Sequence, residues 1–514
     1  MRVPGGRWTI AVVGLTLIGA VIRLAAGGES LFADELSTYW IVSEHGPRGV
    51  LSTVHSDAEI TPPLYFVLAW LTTQLGHAPE LVRAPSLVAG IASIPVAYIL
   101  GLRTIGRRGA LIAAGIVTFS PFMIYYSAEA RAYALMMLLV MLSTLTMLLA
   151  VDSGRTRWWV AYAVSSCLAV YSHYTCVFAL AAQLLWLLWA HPDARKPAIV
   201  ANLGALAGFL PWTTGLIGDL TSPTSEILSA LSPFTLFDIR QVLEHWAIGY
   251  PYTWVARLTE LPGWPGLVLL AASLVLAASG IAASAWRDRP RTRVRRIDRR
   301  LVLVALLFAS VPLGEAVVSA VGDNIFGVRN LAGSWPALAL LLAALLSAAG
   351  RRLGIVAGAL AVASFGLGAA KLVNDQYRRP DYQAAARYID QHARRGDAII
   401  DITAVLSPGP LSPLDAALRR PHRIFRAGAP EERRSPFGYE DRPVPLAEAL
   451  PHAIAAAPGG RIFYVATVFP QQIAGLEERT KRMQDPFPPR YDIVDTKRYP
   501  GIAATAVIVY ADRG

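Results

Sequence analysis

Asp34 and Glu35 stand side by side in S-L-F-A-D-E-L-S-T-Y-W, just after an apolar stretch running from Ile10 to Ala26. A carboxylate at the end of a membrane-length helix is costly to desolvate. It therefore sits at the water interface or faces a polar space, and an ionisable group in that position marks a functional site. There it can take a proton from a nearby hydroxyl as a general base. Further chemistry-bearing residues occupy short polar intervals between apolar stretches: His55, Asp57 and Glu59, then Glu129 and Arg131, then His173, then Asp323, Asn324, Arg329 and Asn330. Long apolar helices are what must position them.

The composition supplies such helices. Of 514 residues 54% are hydrophobic and only 16% charged, with a mean hydropathy of +0.43, more apolar surface than one soluble core needs. Apolar runs recur from residue 8 to residue 372, each near the ~20 residues that span a bilayer. Beyond Leu372 charged residues and proline become frequent and no run is long enough to cross. The expected organisation is a membrane domain over 1–373 and an extracytoplasmic soluble domain over 374–514. The start, M-R-V-P-G-G-R-W, resembles a signal peptide without a small-residue cleavage site, so a retained first helix is expected. Cys167 and Cys176 lie in apolar segments, which suggests neither a disulfide framework nor a thiolate metal site.

A net charge of +11 would point to nucleic acid in a soluble protein, but here the basic residues cluster in short turns. Those turns, Arg103 to Arg108, Arg155 to Arg157, Arg195 to Lys196, Arg287 to Arg300 and Arg351 to Arg352, belong in the cytoplasm by the positive-inside rule. Crossings near 84–102, 109–125, 133–151, 158–173, 174–190, 198–216, 264–286, 301–320, 330–349 and 353–372 then alternate without conflict. With Arg2 and Arg7 also inside, the first span emerges outside and the span from Ala84 must begin outside. Pro62 to Gly76 is therefore a short or re-entrant outer helix. The result is a polytopic α-helical membrane protein of about eleven transmembrane helices, N-terminus cytoplasmic and C-terminal domain outside. This parity puts all the polar intervals named above on the outer face.

The strings D-A-E-I-T-P-P-L-Y-F, L-V-R-A-P-S-L-V-A-G, G-R-R-G-A-L-I-A-A and S-P-F-M-I-Y-Y-S-A-E-A-R-A-Y-A-L, in that order, resemble bacterial members of the dolichyl-phosphate-mannose protein mannosyltransferase superfamily, the family 39 type of C-fold membrane glycosyltransferases. The resemblance is good over about residues 30–190 and weaker beyond. It implies outer juxtamembrane helices and an enzyme that takes a sugar from a polyprenyl-phosphate carrier at the outer face. The sugar passes with inversion to an acceptor hydroxyl on a glycan, lipid or protein, with an aspartate of the first outer loop as general base, here Asp34. Because lipid phosphate is a good leaving group, the protein's task is to place two substrates and stabilise negative charge. Arginine suits that task, its fork matching phosphate oxygens. Arg329 in F-G-V-R-N-L aligns with the family's arginine before a late span, followed by Asn330 where tyrosine is usual; Arg131 is the second candidate.

The expected substrate wall is Glu35, Tyr39, Asp57, Tyr65, Glu129, Arg131, His173, Arg329 and Asn330. Each has a plainer alternative: Asp34 as a cap for the helix from Leu36, Glu129 and Arg131 as a structural ion pair, His173 as a hydrogen-bonded histidine among aromatics, Asp57 as a loop cap. A divalent metal has room among Asp34, Glu129 and His173, yet no metal or other cofactor is predicted. The long interval Asp219 to Pro262 carries Phe234, Phe237, Trp246, Tyr250, Tyr252 and Trp254, which suits a lid, an acceptor groove or an aromatic belt. The arginine run from Arg287 reads as a topology anchor or an anionic-lipid contact.

In the C-terminal part, P-D-Y-Q-A-A-A-R-Y-I-D-Q-H-A reads as an amphipathic helix, and D-A-I-I-D-I, R-I-F-Y-V-A-T-V-F and A-A-T-A-V-I-V-Y-A as strands. Such alternation predicts a small α/β domain. It has no phosphate loop or nucleophile elbow, so acceptor shaping or partner binding is its expected role. The alanine- and arginine-rich composition points to a high-GC bacterium, for which, given the resemblance, decaprenyl-phosphate mannose or arabinose is the expected donor. The competing classes are a lipid or glycan transporter or flippase, which needs a midplane site the sequence does not show, and a non-catalytic assembly partner, against which Asp34 speaks.

Overall fold

The computed structural model describes residues 6–43, 45–56, 58–76, 78–222, 234–288, 298–403, 411–428, 444–468 and 487–513. Its membrane part comprises α1 (Gly6–Gly27), α2 (Asp34–Ser43), α3 (Pro47–Val54), α4 (Leu64–Thr73), α5 (Ala84–Thr104), α6 (Gly106–Phe119), α7 (Pro121–Ser127), α8 (Tyr133–Ser153), α9 (Thr156–Ser172) and α10 (Cys176–Ala190). There follow α11 (Arg195–Phe209), α12 (Thr213–Thr221), α13 (Leu236–Ile248), α14 (Trp264–Asp288), α15 (Arg299–Val321), α16 (Trp335–Ala348) and α17 (Arg351–Lys371).

Among the described residues eight helices are long and apolar enough to cross a membrane, so this is a multi-pass membrane protein. The bent pair α6 and α7, at 59° to each other, gives a ninth span if taken as one. The expected count of eleven is not reproduced by helix length. α9 and α10, with 17 and 15 residues, fall short of the ~20 a full crossing uses, because His173 to Thr175 leave the helices to form a turn beside the polar residues. The stretch Pro62 to Gly76 is, as expected, a short helix, α4.

The α6–α7 bend has a local cause. Pro121 has no N–H, so the carbonyl of Val117 four residues back loses its helical donor. Arg23 of α1, fully buried, supplies replacements: Nη2 donates to Val117 O at 2.8 Å, Nη1 to Thr118 O at 3.1 Å and Nε to Ser127 Oγ at 3.1 Å. Gly90 permits this packing, since a Cβ there would run into the Ser127 side chain.

The two ends of the bundle differ in charge. At one end the basic turns converge on Asp152, bonded by Arg103 at 2.9 Å and Arg300 at 2.6 Å, while Arg299 donates to the carbonyl of Ala190 at 2.7 Å. At the other end the intervals carrying Asp34, Glu129, His173 and Arg329 meet, as the alternation of basic turns requires. The aromatic interval turns inward: Trp246 donates to Leu331 O at 3.1 Å, Trp335 to Trp246 O at 2.9 Å and Tyr250 to Tyr377 O at 3.1 Å. Trp246 and Tyr250 are therefore core rather than lid or belt; residues 223–233 of that interval and 289–297 of the arginine run lie outside the described residues.

Among its described residues the C-terminal part has helices α18 (Tyr382–His392), α19 (Pro413–Ala417) and α20 (Leu446–Ala456) and six strands, β1 (Ala398–Ile402), β2 (Ile424–Gly428), β3 (Val444–Pro445), β4 (Arg461–Val468), β5 (Tyr491–Tyr499) and β6 (Ala504–Asp512). The sheet order is β3-β2-β1-β4-β6-β5, parallel from β3 to β4 and antiparallel from β4 to β5. Its pleat alternates between two cores: Ile400 and Tyr464 pack with α20, Ile399 and Phe463 with α18. Helices thus cover both faces, and Asp381 caps α18 by accepting from Ala384 N at 2.9 Å.

Candidate active site

The chain turns into α2 at Ala33, whose φ of +51° is rare for a residue with a side chain. The next two residues diverge. Glu35 points into the protein, where both oxygens are taken: Arg83 Nε and Nη2 lie 2.6 Å from Oε1 and Oε2, and the N–H groups of Phe32 and Ala130 donate at 3.2 and 2.8 Å. Arg83 also donates to the carbonyls of Gly27 and Ser30 at 2.9 and 2.8 Å. Glu35 and Arg83 are fully buried, a state tolerated only with pairing and hydrogen bonds. Burial would raise the Glu35 carboxyl, but the Arg83 and Arg379 charges outweigh it and hold it below its ordinary value. The carboxylate leaves no open face, so Glu35 ties α1, α2, α5 and the α7–α8 turn together rather than lining a ligand space.

Asp34 faces the other way. Its Oδ2 accepts from Arg329 Nη1 at 2.7 Å, and the two side chains remain 43% and 37% exposed. That openness separates this pair from the buried one. Burial works to raise Asp34, but the charges of Arg329 and Arg131 prevail and keep it low, so it is an ionised carboxylate at neutral pH. Arg329 sits ahead of the turn Asn330–Ser334 that leads into α16.

Arg131 does not pair with Glu129. Its Nη1 and Nη2 hold the Glu59 carboxylate at 2.5 and 3.0 Å, Nη2 reaches Thr61 Oγ1 at 3.1 Å, and the guanidinium lies over the Phe66 ring. Glu129 is left with one buried oxygen, Oε2, that has no hydrogen-bond partner among the described residues. Its carboxyl is pushed up to about 8 by burial and by the Glu35 charge, with Arg379 opposing. His173 lies 5.6 Å from the Tyr133 ring and 2.9 Å from Thr175 Oγ1. Burial and the two nearby guanidinium charges depress it to about 3, which makes it a neutral imidazole.

The remaining expected residues are placed differently. Tyr65 is buried, donating to Val82 O at 2.8 Å and accepting from Ser86. Asn330 is used by the backbone, its Nδ2 donating to Ile325 O at 2.7 Å and its carbonyl accepting from Thr175. Tyr39 lines a separate cleft of about 700 Å³ with Glu80 and Gln383, Arg387 and Asp415 of the C-terminal part. Asp57 lies outside the described residues. Among the described residues no three His, Cys, Asp or Glu side chains gather as a ligand set, so Asp34, Glu129 and His173 do not converge on one point.

Arg83 and Arg379, both charged and at the site, were not singled out from the sequence, and Glu59 was placed in the first outer interval without a partner. Arg83 stands in the string L-V-R-A-P, and a lone arginine opening an apolar run needs a buried partner, which is a usable signal. Glu59 had only its place near Asp57. Arg379 had none, since its site lies across the domain junction.

Residues 61–214 match the family model described as dolichyl-phosphate-mannose-protein mannosyltransferase, a stretch that holds Arg83, Glu129, Arg131 and His173. No curated protein matches. Among solved structures the chain resembles the arabinofuranosyltransferase AftD from Mycobacteria, at 14% identity and TM-score 0.50, covering 100% of this chain and 40% of that one. ArnT from Cupriavidus metallidurans bound to undecaprenyl phosphate also aligns, at 14% identity and TM-score 0.41 over 98% of both chains. An oligosaccharyltransferase from Archaeoglobus fulgidus aligns at 12% identity and TM-score 0.45 over 90% of this chain and 69% of that one. The fold is that of the C-type membrane glycosyltransferases. The family read from the sequence strings is the family whose model matches here.

Proposed function

We propose that the chain is an inverting glycosyltransferase that moves a sugar, mannose or arabinose, from a polyprenyl-phosphate carrier to a glycan, lipid or protein acceptor on the outer face of a bacterial plasma membrane. The observation that carries this reading is the half-exposed pair of Asp34 and Arg329, set at the end of the bundle where the polar intervals meet. Asp34, ionised and open, takes the proton of the attacking hydroxyl. Arg329 exchanges its carboxylate partner for the carrier phosphate and stabilises the anion that leaves. Both groups stand ready at once because Arg329 is charged without help and its charge keeps Asp34 ionised in the absence of substrate. The neutral His173 beside Tyr133 offers a hydrogen bond without adding charge.

The test is transfer by purified protein from polyprenyl-phosphate-linked mannose and from the arabinose analogue to envelope extracts, with Asp34→Asn as control. Product from one donor, lost in the variant, supports the reading; equal turnover in Asp34→Asn removes Asp34 from the mechanism. For sidedness, cysteines at Gly76 and after Asn374 should react with an impermeant reagent in intact protoplasts and one at Gly106 should not. The reverse pattern would put the site in the cytoplasm and favour a nucleotide-sugar donor.

A further inference from the structure

Buried polar groups almost always find a partner. Behind Asp34 two residues have polar atoms that find none among the described residues: Oε2 of Glu129, and Nε and Nη2 of Arg379, though both residues are more than nine-tenths buried. Arg379 belongs to the segment between α17 and α18, outside the membrane helices, yet its guanidinium enters the site. It lies 4.7 Å over the Tyr125 ring, and its Nε is 3.2 Å from Glu35 Oε2 without the alignment of a hydrogen bond. Tyr125 in turn donates to Tyr252 at 2.9 Å.

The segment is held firmly around that side chain. Arg379 N donates to Glu29 Oε2 at 3.0 Å, Arg378 Nε to Glu29 Oε1 at 3.1 Å and Gln383 N to Ser30 Oγ at 3.0 Å. Phe32, Tyr382 and Ile502 close an apolar cluster beside it. The loop that presents Asp34 is therefore clamped between the membrane helices and the C-terminal sheet. The charges of Glu35 and Asp34 both bear on the Glu129 carboxyl, and like charges so placed repel unless cations offset them.

We propose that Arg379 is a positioning residue of the transfer site, supplied by the C-terminal domain, which holds the wall formed by Glu35 and Glu129 behind Asp34 so that turnover depends on how that domain is docked. This rests on the glycosyl-transfer reading above. Arg379 acts through its neighbours: it offsets the Glu35 charge, fixes the Tyr125 ring and lowers the cost of ionising Glu129, whose charged neighbours are Asp34, Glu35, Arg131 and Arg379. The other titratable groups facing Glu129 are the phenols of Tyr65, Tyr125, Tyr126, Tyr133, Tyr250 and Tyr252.

The experiment compares wild type, Arg379→Gln, Arg379→Lys and Arg378→Ala in the full-length detergent-solubilised protein. One arm follows the carboxyl infrared band of Glu129, identified by its loss in Glu129→Gln, against pH. Because the Arg379 cation favours the carboxylate, Arg379→Gln should move the titration upward from about 8, Arg379→Lys should leave it near wild type, and Arg378→Ala, which keeps the Arg379 cation and loosens only its segment, should shift it less than Arg379→Gln. The second arm measures transfer: Arg379→Gln should lower kcat about tenfold or more with KM for the lipid-linked donor nearly unchanged, the mark of a loss felt in the transition state rather than in ground-state binding. Arg379→Lys should recover part of kcat. Unchanged titration and kcat in Arg379→Gln, or a change in KM alone, would overturn the proposal. The infrared arm needs no substrate, so it decides the role of Arg379 even if the wild-type protein transfers neither sugar, an outcome that would sink the transfer reading by itself.

Discussion

Asp34 and Glu35 are consecutive residues of one chemical type, and each is paired with an arginine, yet they have opposite roles. Glu35 is fully buried and saturated by Arg83, two backbone N–H groups and the approach of Arg379. Asp34 is 43% exposed and shares its visible partner, Arg329, with solvent. Side chains one step apart on a helix point about 100° apart, so the first turn of α2 gives one carboxylate to the scaffold and the other to open space. In this chain the measure of functional availability is how much of an ion pair remains open, and charge or sequence position alone does not decide it.

Breaking the buried pair should have the largest effect. Arg83→Ala strands the Glu35 carboxylate in the interior, which for buried pairs costs roughly 3–5 kcal/mol. The expected outcome is a steep fall in the thermal midpoint in detergent or loss of folded protein. The pH dependence has a definite sign: the folded Glu35 carboxyl is held below its ordinary value, so its contribution is present above about pH 4.3 and is lost as pH falls through the lower folded value. Arg83→Ala should remove that acid-sensitive part of the melting curve.

Asp34→Asn sharpens the same comparison from the other side. An exposed pair is worth only ~0–1 kcal/mol, so the thermal midpoint should barely move, while transfer should drop by about 10² to 10⁴. A variant that melts early would make Asp34 a second structural carboxylate.

Arg329 comes next in size. Arg329→Ala should weaken binding of polyprenyl phosphate and slow transfer, and Arg329→Lys should recover only part, because an ammonium does not reproduce the bidentate fork. Since burial alone would raise Asp34 and Arg329 is the foremost charge holding it low, Arg329→Ala should also move the acid limb of the rate profile to higher pH. Unchanged carrier affinity would shift the phosphate role to another arginine. Arg131 is poorly placed for it, being occupied by Glu59.

Much of this arrangement could be read in the sequence. Hydropathy and basic turns located the apolar helices to within a few residues and placed Asp34, Glu129, His173 and Arg329 at one end of the bundle. They could not separate Asp34 from Glu35, because a pair of carboxylates at a helix start does not say which one points inward. Nor could they find Arg379, whose partners Glu29 and Glu35 are some 350 and 344 residues away in the chain and meet it only when the C-terminal domain docks. Pairings such as Arg131 with Glu59, 72 residues apart, likewise depend on how the outer loops cross. α9 and α10 were counted as full spans because their apolar residues run on into a turn that folds beside the site.

The smallest expected effect tests the turn that separates the two carboxylates. Ala33 holds φ at +51°, a left-handed conformation that costs an L-residue about 1–2 kcal/mol and that glycine adopts freely. Glycine gives back roughly 0.5–1 kcal/mol through its freer unfolded chain, so Ala33→Gly should be stabilising by no more than about 1.5 kcal/mol, a rise of a few degrees at most in the thermal midpoint. A β-branched residue fits this region worst, so Ala33→Val should be destabilising. If the turn serves only to aim α2, Ala33→Gly should keep the wild-type kcat. A stabilised Ala33→Gly protein with a lowered kcat would mean that the strained alanine itself keeps Asp34 facing outward, and the division between the two carboxylates would then be maintained by the backbone at residue 33 as well as by Arg83 and Arg329.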